Sequence, residues 1–220
     1  MNNAEQLLKQ IIEILKKDKM NDSKQVSIKP NTIPVGISNR HIHLNTADVE
    51  KLFGSGYQLT KLKDLSQPGQ YAAKETVTIA GSKGSFTHVR VLGPERPNSQ
   101  IEISKSDCFT LGIKAPIRES GNIANSGTLT VIGPKGTVIM NNKVIVAKRH
   151  IHMTPDDAYK YGVNDKEIVW IKTMNERATI FGDVVIRVNN QFQLECHLDM
   201  DEANSASLGN NSFVEIYKHN

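Results

Sequence analysis

Hydrophobic and polar positions follow two different periods along the chain. In the first 20 residues Ala4, Leu7, Leu8, Ile11, Ile12, Ile14 and Leu15 recur at helical spacing, and Gln6, Lys9, Gln10, Glu13 and Lys17 occupy the other face. This predicts an amphipathic helix of about four turns within residues 1–20. Its lysines are spread through the segment instead of preceding an apolar run, and no small-residue cleavage site follows, so it is not read as a secretory signal. Two uses stay open: folding back on its own domain, or docking on another protein. No aromatic residue anchors the apolar face for a membrane surface. Residues 21–31, polar and closed by Pro30 and Pro34, read as a linker.

From residue 32 the pattern changes to short β-rich runs. Thr76–Ile79, Val89–Leu92, Thr128–Ile132, Lys143–Ala147, Ile168–Lys172, Val184–Val188 and Phe213–Tyr217 are predicted strands. Gly133-Pro134 and Asn189-Asn190 supply turns, and Gly81–Gly84 and Gly133–Gly136 read as hairpin turns, since neither has the spacing of a phosphate-binding loop. Short strands at this density predict a mainly β fold of barrels or sandwiches with a few short helices.

The chain repeats itself. Val35–Leu44 (VGISNRHIHL) aligns with Val144–Met153 (VIVAKRHIHM), and each is followed by a helix start. Asn45 can cap the first helix with Asp48 at N3, and Thr154-Pro155-Asp156-Asp157 provides cap, N1 proline and first-turn acids for the second. A second match sets Gln100–Ser104 (QIEIS) against Gln193–His197 (QLECH). Two related β units are therefore expected, each delivering a strand, an R-H-I-H corner and a short helix.

The H-x-H pairs carry the candidate chemistry. Alternate side chains of a strand share a face, so His41 and His43, with Cα atoms about 7 Å apart, can reach one cation, as can His150 and His152. A firm site needs a third protein ligand. Glu102 and Ser104 share one face, as do Glu195 and His197, which nominates Glu102 and His197. Imidazole and carboxylate suit zinc best, with cobalt, nickel or iron allowed by ligand softness. Arg96, in the proline-bounded run Gly93–Pro97, can fork onto a phosphate or carboxylate beside such a metal.

Composition narrows the class without naming a reaction. In 220 residues, 38% are hydrophobic and 23% charged, and no stretch approaches 18 uninterrupted apolar residues, so a globular protein is expected. Lys and Arg exceed Asp and Glu by only 27 to 23, a balance that does not argue for nucleic acid. Cys108 and Cys196 are too few for a disulfide framework and are expected as reduced thiols in a cytosolic protein. Cys196 alternates away from His197 and is expected as a small buried hydrophobe, while His88 and His219 lack partners and are left without a role.

Six segments together resemble one family: Val35–Leu44, Leu62–Gln70, Val89–Pro94, Pro116–Gly121, Arg149–Met153 and Asp201–Asn204. Over about residues 32–217 the chain is similar to the phosphate propanoyltransferases, the phosphotransacylases of propanediol utilisation. The resemblance implies an acyltransferase that interconverts propanoyl-CoA or acetyl-CoA plus phosphate with acyl-phosphate plus CoA. It implies two capped β-barrels with a di-zinc site between them, the first formed by residues 32–39 with 124–217 and the second by 40–123. His41, His43 and Glu102 are then ligands of one zinc, and His150, His152 and His197 of the other. Arg96 is similar to the phosphate-binding arginine. Ser38, Lys63, Arg90 and Asn204 fall on positions that line a coenzyme A pocket, and Phe109 on an adenine-stacking aromatic supplied across a dimer. By the same resemblance the first helix directs packing with shell or cargo proteins of a bacterial microcompartment in the cytoplasm, and the enzyme is a homodimer or larger. Cys196 and Met200 depart from the methionine and threonine common in the family. Two rivals remain: a two-metal thioester or phosphoester hydrolase, and a non-catalytic metal-binding scaffold.

Overall fold

The computed structural model describes residues 31–209 and 211–217; the predicted first helix lies outside the described residues, as does all but the last residue of the linker. The described chain runs β1 (Ile33–Ser38), β2 (His41–His43), α1 (Thr46–Phe53), β3 (Lys61–Asp64), β4 (Tyr71–Ala80), β5 (Ser85–Gly93), β6 (Gln100–Glu102), α2 (Lys105–Leu111) and β7 (Ile117–Arg118). It continues through β8 (Gly127–Ile132), β9 (Thr137–Ala147), β10 (His150–Met153), α3 (Pro155–Tyr161), β11 (Ile168–Thr173), β12 (Ile180–Val188), β13 (Glu195–Asp199), α4 (Met200–Ser205) and β14 (Phe213–Tyr217). Each of the seven predicted strands falls within one of these.

Strand pairing closes two six-stranded barrels. The first has the order β1-β13-β10-β12-β11-β14, with β14 returning to β1. The second runs β4-β5-β2-β6-β9-β8 and returns to β4, with β3 and β7 attached at its margins. The two are built alike: β2 pairs parallel with β5 and antiparallel with β6, and β10 pairs parallel with β12 and antiparallel with β13. The strand before each R-H-I-H corner crosses to the other barrel. Thus β1 pairs parallel with β13 while β9 pairs parallel with β6.

That reciprocity corrects one expectation. Residues 127–147, expected in the first barrel as part of 124–217, form β8 and β9 and pair within the second. The repeat requires it, because β1 and β9 are equivalent strands and each is lent to the opposite barrel. A second correction concerns register. His41 lies opposite Glu102 and His150 opposite His197, whereas His43 faces Gln100 and His152 faces Glu195. Gln100-Ile-Glu102 is therefore equivalent to Glu195-Cys-His197, two residues away from the alignment that matched the two glutamines. Identical letters misled there; ladder pairing decides equivalence.

Each barrel has its own apolar core. Ile42, Leu44, Leu52, Ile79, Val91, Ile101 and Leu129 are among those filling the second, and Ile33, Ile151, Met153, Ile171, Ile186, Cys196 and Leu198 among those filling the first. The isoleucine of each H-I-H is fully buried, so strand alternation turns the flanking histidines the opposite way. Burying one such side chain contributes about 1.5–3 kcal/mol, which pins the register of strands only three or four residues long. Cys196 is fully buried as expected, its thiol pushed well up by loss of hydration.

Four capped helices close the corners. Asn45 accepts from the Asp48 N–H, and Ser104 with Asp107, Thr154 with Asp157 and Asp199 with Glu202 form reciprocal capping boxes. The N3 acids of α2 and α4 have a second task. Asp107 accepts from Nε and Nη2 of Arg40, and Glu202 lies 3.0 Å from Nε of Arg149. Each arginine also lies over an aromatic ring, Phe86 at 4.0 Å and Phe181 at 5.6 Å. The arginine of R-H-I-H is thus a corner clamp.

Candidate functional site

The histidine faces of both barrels open into one cleft of about 770 Å³. On one side, His41, His43 and Glu102 gather their ligand atoms within 4.8 Å of one another, and on the other His150, His152 and His197 do the same. The rings of the second group are 4.7–4.8 Å apart between centroids. Both triads arise from the same local arrangement, an H-x-H edge facing the strand that carries the third donor.

Hydrogen bonds prepare these donors for a cation. His41 Nδ1 lies 2.8 Å from the carbonyl of Asn39, and His150 Nδ1 lies 2.8 Å from the carbonyl of Lys148. A ring nitrogen facing a carbonyl must donate, which leaves each Nε2 as a lone pair. His43 Nδ1 is buried without any hydrogen-bond partner. His152 Nδ1 and His197 Nε2 converge to 3.1 Å. An orphaned buried nitrogen and two nitrogens aimed at one point fit a metal better than they fit an apolar or purely hydrogen-bonded core.

Protonation agrees with that fit. Burial, then the neighbouring His41 and Arg96, holds His43 well below its ordinary value. Burial with His197 brings His150 down to about 4, and burial with His150 and His197 brings His152 to about 2. Burial pushes Glu102 upward, but His41, His43, His150 and Arg96 together outweigh it and hold the carboxyl at about 2. Near neutrality the three imidazoles are uncharged and Glu102 is ionised, the forms in which they ligate. Gln100 Nε2 donates to Glu102 Oε1 at 2.6 Å and to Ser120 Oγ at 2.8 Å, while Gln100 Oε1 accepts from the Gly121 N–H at 2.7 Å. The Glu102 carboxylate is therefore held in place by a side chain that is itself tied down.

A family model described as phosphate propanoyltransferase matches residues 34–209. The chain belongs to that family. It is 52% identical over 199 residues to the phosphate propanoyltransferase of Thermotoga maritima, covering 90% of this chain and 95% of the relative. It is 49% identical over 212 residues to that of Priestia megaterium, covering 96% and 98%, and 53% identical over 186 residues to that of Clostridioides difficile, covering 84% and 89%. As a member of the phosphate propanoyltransferase family it is an acyltransferase.

Of the residues nominated from sequence, Ser38, Lys63, Arg90 and Arg96 line the cleft with all six triad residues. Arg96 is anchored through its backbone N–H to the Leu44 carbonyl at 2.9 Å and through Nη1 to Ser120 Oγ at 3.3 Å. Arg90 spends Nη1 on the carbonyls of Ala73 and Lys74. Asn204, exposed on α4, and Phe109, 82% exposed on α2, are not brought to the cleft wall. His88 is exposed on β5, with Nδ1 near Thr87 Oγ1, and His219 lies outside the described residues.

Other lining residues of this phosphate propanoyltransferase family member escaped the sequence reading. Glu195 Oε2 lies 3.0 Å from His197 Nε2 and accepts from Ser66 Oγ. Gly36 makes room for it, since a Cβ there would sit 2.6 Å from Glu195 Cδ. Phe192 packs 4.2 Å from the His152 ring, and Arg187 stands opposite His152 in the ladder. An arginine inside the apolar run Val184–Val188 was the one available signal.

Proposed function

We propose that this chain transfers a short acyl group, propanoyl or acetyl, between coenzyme A and inorganic phosphate at a di-zinc site. The observation that carries this reading is the pairing of two convergent donor triads, one from each barrel, with a half-buried arginine in a single cleft. His41, His43 and Glu102 would hold one zinc and His150, His152 and His197 the other. Bound there, zinc supplies Lewis-acid stabilisation of the departing thiolate and of negative charge on the acyl carbon's oxygen.

The side chains account for the rest. Arg96, desolvated and steadied by Ser120, binds phosphate through its fork and fixes one face of it towards the thioester. A phosphate oxygen forms the new C–O bond as the C–S bond breaks, and the sulfur leaves with its electron pair. Phosphate is already a dianion near neutral pH, so no side chain has to remove a proton. Ser38, Lys63 and Arg90 contact coenzyme A within the cleft, while Asn204 and Phe109 meet its outer parts, Phe109 from a partner chain of a homodimer or larger assembly. The amphipathic segment within residues 1–20, predicted from sequence to be helical, brings the enzyme to shell or cargo proteins of a microcompartment for propanediol degradation in the bacterial cytoplasm. Among the described residues no helix is long and apolar enough to cross a membrane.

The test is acyl-phosphate formation from a short acyl-CoA series, before and after chelation and zinc return. Stoichiometric acyl-phosphate that disappears with the metal and returns with zinc supports transfer. Free acid formed equally without phosphate would replace this reading with hydrolysis.

A further inference from the structure

The geometry points to Arg187 as a second phosphate-positioning residue, which with Arg96 grips inorganic phosphate from the opposite barrel. This rests on phosphate being the second substrate of the cleft.

The placement is specific. Arg187 pairs with His152 across the β10–β12 ladder, so its side chain starts beside the all-histidine triad, whereas the lining residue Lys63 is exposed. Its guanidinium carbon lies 5.7 Å from the centre of the Phe192 ring, which itself packs 4.2 Å from His152. The aromatic face thus supports the cation next to the triad. Repeat symmetry does not explain an arginine there, because the equivalent position opposite His43 is Leu92. Arg96 instead follows β5, the strand equivalent to β12, and its backbone N–H bonds to Leu44 just as the Asn189 N–H bonds to Met153. Of the cleft's arginines, Arg40 is paired with Asp107 and Arg90 binds the Ala73 and Lys74 carbonyls, which leaves Arg96 from the second barrel and Arg187 from the first, at different points of the same corner.

The two cations also feel each other: burial lowers the Arg96 pKa most, the Glu102 carboxylate opposes that, and the charge of Arg187 lowers it again. Among the described residues neither arginine is in an ion pair, whereas Arg40 and Arg149 both are. Two like charges lining one half-buried cleft, neither in an ion pair, form a receptor for a compact polyanion. The carboxylates of the same cleft sit among the donor groups: Glu102 is itself a triad member and Glu195 lies 3.0 Å from His197 Nε2. Coenzyme A phosphates would be expected further out, beside Lys63; at the triad the anion is orthophosphate.

The test uses the zinc-loaded full chain with Arg187→Gln and Arg187→Lys, and the exposed Arg177→Gln as control. Initial rates are measured with phosphate and propanoyl-CoA varied separately, and phosphate binding is measured directly by calorimetry. For Arg187→Gln we expect the KM and Kd for phosphate to rise at least tenfold, about 1.4 kcal/mol, with the KM for propanoyl-CoA within twofold and zinc content unchanged. Arg187→Lys should fall between parent and Gln, since it keeps the charge and loses the fork. Phosphate constants within twofold of the parent in Arg187→Gln would overturn the assignment. So would equal rises for both substrates accompanied by zinc loss, which is the mark of a merely structural arginine. If the parent makes no acyl-phosphate, the transferase reading fails, yet calorimetry with inorganic phosphate still decides the role of Arg187.

Discussion

Gly36→Ala is a single methyl group aimed at the support of one triad. Gly36 lies on β1, paired with His197, and its backbone is not in the left-handed region, so alanine is conformationally allowed. The added Cβ would stand 2.6 Å from Cδ and 2.9 Å from both carboxylate oxygens of Glu195. Ordinary contact begins near 3.4 Å, so the carboxylate must move by roughly 0.8 Å or β1 must bulge. That displacement breaks the 3.0 Å approach to His197 Nε2 and the bond from Ser66. Glu195 stands at the same ring nitrogen that faces His152 Nδ1, so its carboxylate places negative charge beside a bound cation and its displacement lowers affinity at that group, while the overpacking itself costs about 1–3 kcal/mol. A competitive chelator titration of the metal-loaded protein should therefore show weakened binding at the all-histidine group and unchanged binding at the group of His41, His43 and Glu102. In a Glu195→Ala background the same glycine substitution should add less than about twofold, because there is no carboxylate left to displace. Equal weakening of both metals, or full additivity in the double variant, would refute the idea that Gly36 acts through Glu195.

Three further outcomes follow from the same contacts. Arg40→Gln removes the forked pair to Asp107, itself only 3% exposed, and should lower stability by about 2–3 kcal/mol, read as a fall of roughly 4–12 °C in the thermal midpoint. In chelator-stripped protein His43, His150 and His152 have folded pKa values below the unfolded 6.5, so the unfolded chain takes up protons first as pH falls. Stability is then full above about pH 6.5 and declines towards about pH 4; denaturant midpoints independent of pH across that window would contradict the buried neutral histidines. Burial raises both thiols, so Cys108 and Cys196 should resist iodoacetamide at pH 8 in the native protein and react fully in denaturant; rapid native labelling of Cys196 would contradict its place in the core.

The sequence by itself determined a good deal. Strand periodicity, the hairpin glycines and the cap residues of α1 and α3 are local signals, set by backbone geometry within a few residues, and each is found where expected. The same holds for the four histidines of the H-x-H pairs, because alternation along a strand needs no tertiary partner to put His41 beside His43. Glu102 and His197 were reachable because an internal repeat marked their strands. The register that makes them equivalent was not, since it depends on which residues face each other across β2–β6 and β10–β13.

Only the tertiary structure decided which strand belongs to which barrel. Whether β9 continues with β8 or joins the C-terminal strands depends on ladder bonds between residues distant in the chain, which local pattern does not encode. The same long-range closure set Arg187, Glu195 and Phe192 around the triad and left Phe109 and Asn204 on exposed helix surfaces. Local pattern can say that a side chain points inward or outward. Which neighbours it meets there is fixed by pairing and packing across the whole chain, and it is those neighbours that turn six donors into two metal-competent groups facing one cleft.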